Sequence, residues 1–123
     1  MAADPAPPTL SLLVHRAVEV TELGAPEPEL DELLARFEDA DETVGASEDV
    51  ALTVDEALGR IDPDWEESGP LAMARSVVVY LAVRPEEIGA EPAELLRLAA
   101  RAEFDGRPPP AVSEWLSGAG VEA

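Results

Sequence analysis

Two stretches of the chain, ELGAPEPELDELLARFE at residues 22–38 and EIGAEPAELLRLAARAE at residues 87–103, are variants of one pattern. Shifting the sequence by 65 positions aligns residues 11–38 with 76–103 without a gap, and 13 of the 28 pairs are identical. A composition rich in Ala, Glu and Leu gives about three matches by chance. A shared helical period accounts for recurring leucines, but it gives no reason for Gly24-Ala25 to recur as Gly89-Ala90. This repeat constrains the fold more than any other feature, because each copy carries an apolar face that one hairpin alone would leave in water. The expected architecture is all-α: a pseudo-symmetric four-helix core from a duplicated hairpin of the helix-turn-helix type, with short extra helices. The units span about 9–40 and 74–105, an acidic connector covers 41–68, and together they form one helical domain over 9–123.

Local signals place the helices. Residues 1–8 are Pro-rich and read as a disordered tail. Thr9 can cap a first helix whose Leu10, Leu13, Val14 and Ala17 share one face. In a second helix, Leu30, Leu33, Leu34 and Phe37 lie opposite Asp31, Glu32 and Arg36. Thr53 and Glu56 fit a capping box, which predicts a short third helix with Val54, Ala57, Leu58 and Ile61 as its apolar stripe. Ser68-Gly69-Pro70 begins a fourth, and the LAMARSVVVYLAV that follows is apolar nearly all round, as expected of a central element. Its Val77–Val79 run is strand-like, but the length of the segment favours a helix.

A fifth helix runs from Pro92 to about Phe104 and ends near Gly106. Pro108–Pro110 break the chain before a last short helix over Ala111–Leu116 that packs Trp115 on the others. Gly24 and Gly89 fall where the first helix of each unit should end, and left-handed geometry at glycine would close both. His15 and Tyr80 occupy matching positions, expected at the rim of the core.

Charge bounds the environment. The chain of 123 residues carries 27 acids and eight bases, a formal net charge of −19, and every base is Arg. Self-repulsion on that scale opposes compaction at low ionic strength. Lys, Asn and Gln are absent and Ile occurs twice, which points to GC-rich coding. The acidic excess points to a halophilic microbial cytosol, where molar salt screens charges over about 3 Å; a GC-rich actinobacterium is the rival source. The N-terminal MAADPAPPTL has an acid where a signal peptide needs positive charge, and the longest apolar run, Val77–Val83, is too short to span a bilayer. A cytoplasmic protein with no membrane partner is the expectation.

Few residues suit catalysis. Without cysteine there is no disulfide, thiolate nucleophile or thiolate metal site. His15 is the sole histidine, GxSxG is absent, and no Walker loop, GxGxxG or HExxH occurs. Asp62-Pro-Asp64-Trp-Glu66-Glu67 resembles a calcium loop, but proline takes the second position and Gly69 comes two residues late for the turn. Asp39 and Asp41 before Gly45 miss by one residue. No catalytic, metal or cofactor site is expected.

The bases cluster instead. Arg75, Arg84, Arg97, Arg101 and Arg107 all lie in the second half, where they could contact a partner or nucleic acid. Ile88-Gly89 followed by Ala93 resembles a helix-hairpin-helix phosphate loop, but Glu86 and Glu87 stand where amides would meet a phosphate. The turn of about eight residues also exceeds that of a DNA-reading unit. The function expected is a non-catalytic protein–protein interaction or regulatory module, bound to a partner or to itself. A DNA-associated transcriptional regulator using the Arg-bearing second repeat is the alternative, and a carboxylate-based metal-dependent enzyme a distant third.

Overall fold

The computed structural model describes residues 9–22, 28–38 and 47–121, and these contain six α-helices and no β-strand. They are α1 (Leu10–Thr21), α2 (Pro28–Arg36), α3 (Ser47–Ile61), α4 (Gly69–Val83), α5 (Pro92–Phe104) and α6 (Pro110–Gly118). Short 3-10 turns, Trp65–Glu67 and Pro85–Gly89, flank α4. The tail at 1–8, Gly24 and the Asp39–Gly45 loop fall outside the described residues.

The all-helical expectation holds, and α1, α4, α5 and α6 pack as a bundle. At its centre is α4, which also packs on α3 and α2. Its Leu71, Met73, Val77, Val78 and Leu81 are fully buried, each worth about 1.5–3 kcal/mol over exposure. The valine run is therefore helical, because burial on several sides selects an element that satisfies its own backbone bonds.

Caps set several boundaries as the sequence predicts. Thr9 Oγ1 accepts from the Leu12 amide at 3.2 Å, and Ser68 Oγ accepts from the Leu71 amide at 3.4 Å. At the end of α5 the backbone turns left-handed twice, at Asp105 (φ 51°) and Gly106 (φ 81°). Asp tolerates that region better than most non-glycine residues. Two buried hydroxyls are satisfied inside their own helices: Thr21 donates to Ala17 O at 2.7 Å and Ser76 to Ala72 O at 2.9 Å.

Three expectations need correction. The third helix starts at Ser47, six residues before Thr53, whose hydroxyl donates to Asp49 O at 2.9 Å in mid-helix and caps nothing. The buried stripe is Val50, Val54 and Leu58, and burying Val50 carries the helix through the capping-box pattern. Much of the acidic connector is thus part of the packed fold.

Gly89 does not close α4, which stops at Val83, and Gly89 is absent from the positive-φ residues. The stop belongs to Pro85: the residue before a proline is pushed out of helical geometry, and Arg84 sits at φ −125°, ψ 66°. His15 is exposed and not at the core rim, whereas Tyr80 packs partly against the core.

The two similar stretches of sequence fall on α1–α2 and on α4–α5, but the matched helices face the core differently. Val14 and Val18 are buried in α1, while the matching Val79 is half-buried and Val83 exposed. Arg16 of α1 donates to Ala90 O at 2.7 Å and ties the α4–α5 connection to the first helix.

Candidate functional site

Arg75 is the best-placed of the predicted arginines. It leaves α4 between α3 and α5, with only 17% of its side chain exposed. Its Nε donates to Asp55 Oδ1 of α3 at 3.0 Å, and its terminal nitrogen pairs with Glu103 of α5. Burial works against the charge, but the hydrogen bond to Asp55 and the fields of Glu103 and Asp55 outweigh it and raise the guanidinium pKa further. Arg75 is therefore a permanent cation that joins three helices.

Beside this clamp lies an open cavity of about 470 Å³. Ala72, Arg75 and Ser76 of α4 form one wall and Asp55 of α3 another. Trp65, Glu66 and Glu67 come from the 3-10 turn that α4 follows, and Glu103, Phe104 and Pro109 from the end of α5 and beyond. Pro70 and Ser68 start α4 immediately after the turn, which holds Trp65 over the same helix face.

Four carboxylates against one guanidinium leave the walls formally at −3. Two aromatic rings beside such a field suit a cation, since a ring face attracts positive charge and nearby carboxylates add to it. Among the described residues, no three His, Asp or Glu side chains converge as a metal site.

The other arginines do not gather with Arg75. Arg84 pairs with Glu86 at 3.1 Å, and Arg97 with Glu94 at 3.3 Å on the outside of α5. Arg101 and Arg107 are exposed. The sequence thus offers Arg75 as one of five candidate arginines and gives no sign of the aromatic walls beside it. Trp65 and Phe104 are 39 positions apart, and only the packing of α4 on α5 and on the 3-10 turn brings them to one cavity.

Tyr80, farther along α4, has its phenol pKa raised above the ordinary 10.0, by desolvation first and by the charge of Glu87 next, with Arg84 acting the other way. A raised folded pKa means that the native state holds the proton more tightly. Its contribution to stability is complete below pH 10.0 and declines as pH rises from there through the folded value. As Tyr80 is the only tyrosine, its tyrosinate absorbance reports one group. The titration midpoint should lie above that of the urea-unfolded chain; coincident midpoints would place Tyr80 in water.

No helix among the described residues is long and apolar enough to cross a membrane. Comparison of the chain with protein-family models, with curated proteins and with solved structures gives no match.

Proposed function

We propose that the chain is a non-catalytic helical interaction module that presents its α4–α5 face to a basic protein partner. The observation that carries this reading is the cavity beside Arg75, where Trp65 and Phe104 stand among four carboxylates. A lysine or arginine side chain of the partner fits both its shape and its field. Self-association would bring together two copies of charge −19 each, so a partner of opposite charge is the better occupant. Nucleic acid is the weaker reading, because Arg75, Arg84 and Arg97 each already face a carboxylate. We read α1–α2 and α4–α5 as diverged copies, with the second modified for binding, and the chain as a cytoplasmic protein of a halophilic or GC-rich microbe.

Affinity capture from the source cytosol tests the site. Wild-type protein should retain a basic protein that the Glu66→Lys/Glu67→Lys variant releases. Equal retention by both, or duplex DNA binding that weakens with salt, would overturn the assignment. The halophile reading has its own check in circular dichroism. Helicity and melting temperature should both rise between millimolar and molar NaCl as screening relieves repulsion; unchanged folding across that range would remove this reading.

A further inference from the structure

A second hollow, of about 310 Å³, lies farther along the same face and shares Ser76 and Glu103 with the first. Val79, Val83 and Ala102 give it apolar surface and the Tyr80 ring adds one aromatic edge, with Arg84 also in the lining. Val83 is 59% exposed, which is unusual within the helix that forms the centre of the core. Ala72, Ser76, Val79 and Val83 follow at i, i+4, i+7 and i+11, so both hollows lie along one face of α4.

The repeat register supplies the comparison. Val14, Val18 and Phe37 of the first unit stand where Val79, Val83 and Ala102 stand in the second. All three first-unit residues are buried, Phe37 to 6% exposure. The helix contacts differ between the units: Ser11 Oγ donates to Glu38 O at 3.2 Å, whereas the matching Ser76 donates to Ala72 O within its own helix and only shares the lining of the hollow with Glu103. Where the first unit buries a benzyl group of its own, the second has a methyl and leaves its valines open.

We infer that the Val79–Val83–Ala102 hollow receives an aromatic side chain of the basic partner, on a helical segment whose cation enters the Arg75 cavity. This rests on the interaction reading above and adds the partner's form. Charge complementarity selects the cation, and the missing benzyl group selects the apolar anchor. From Arg75 to Val83 is about 12 Å along α4 at 1.5 Å per residue. Two anchors seven residues apart on a partner helix are about 10 Å apart and share a face.

The probe is a synthetic helix-forming basic peptide with one Arg and, seven residues on, one Phe, titrated into the full chain carrying labelled valine methyls and Trp indoles. Saturable shifts are expected at Val79, Val83 and Trp65 together. Replacing the peptide Phe with Ala should weaken binding roughly tenfold or more. Ala102→Phe, which fills the hollow from the chain itself, should weaken the Phe peptide equally while the Trp65 response to the Ala peptide persists. Ala102 is exposed, so folding should survive; Val83→Ser provides a second variant with the same expected loss.

Equal binding of the Phe and Ala peptides, or undiminished binding by both variants, overturns the anchor while a Trp65 response leaves the Arg75 cavity standing. Valine shifts without any Trp65 response overturn the cavity reading, and with it the two-anchor segment.

Discussion

Truncating Leu81 to alanine is expected to lower the unfolding free energy by about 2–5 kcal/mol. Leu81 is fully buried on α4, the helix that packs against all the others of the bundle. The substitution removes the transfer energy of its terminal carbons and leaves a cavity that neighbouring helices close only in part. Single domains have about 5–15 kcal/mol in total, so the variant keeps a fraction of its stability. Urea unfolding should show a lower midpoint at unchanged slope. The control is Val83→Ala, two residues on: with a side chain already 59% exposed, it should stay within about 0.5 kcal/mol. Similar losses at both positions would contradict the described facing of α4.

Adding one methyl group at Gly69 is the second large effect. A Cβ there would stand 2.5 Å from Trp115 Cβ and 2.8 Å from Ala111 O. Neither neighbour is the free end of a flexible chain, so α6 would have to move away from the start of α4. Overpacking of this kind costs about 1–3 kcal/mol. Alanine improves on glycine within a helix by up to about 1 kcal/mol, too little to reverse the sign. The same substitution at Gly59 meets nothing within 4 Å, so there the helical preference acts alone. Gly69→Ala should therefore lower the melting temperature and Gly59→Ala raise it. A rise in both would mean that α6 does not seat on Gly69.

What was legible in the sequence was what local chemistry decides. Thr9, Ser68 and Pro70 mark helix starts because hydroxyl caps and a proline in the first turn act within a few residues. The apolar period of α2 and α5 needed no partner to be recognised. Two signals misled for the same reason, that a local preference yielded to its surroundings. Thr53 and Glu56 have the spacing of a cap, but Val50 has a core to enter, and its burial draws the helix start back to Ser47. Gly89 has the freedom to end a helix, but Pro85 ends it first.

The lining of the Arg75 cavity was legible only in part. Arg75 was one of five arginines with nothing local to single it out, because its partners Asp55 and Glu103 lie 20 and 28 positions away. Nothing in the two similar stretches of sequence separates a valine that faces the core from one that faces water. Val18 and Val83 are matched residues with opposite fates, because α4 packs on helices for which α1 has no counterpart.

The central helix has one further consequence. In a chain of 27 acids, Gly69–Val83 contains none, and its only charged side chain is Arg75. The acids are confined to the parts that surround it, so substitutions there can change the net charge while the axis stays intact. Relatives of different net charge would differ in that jacket and agree along this helix, so its fifteen residues are the stretch by which they would recognise one another.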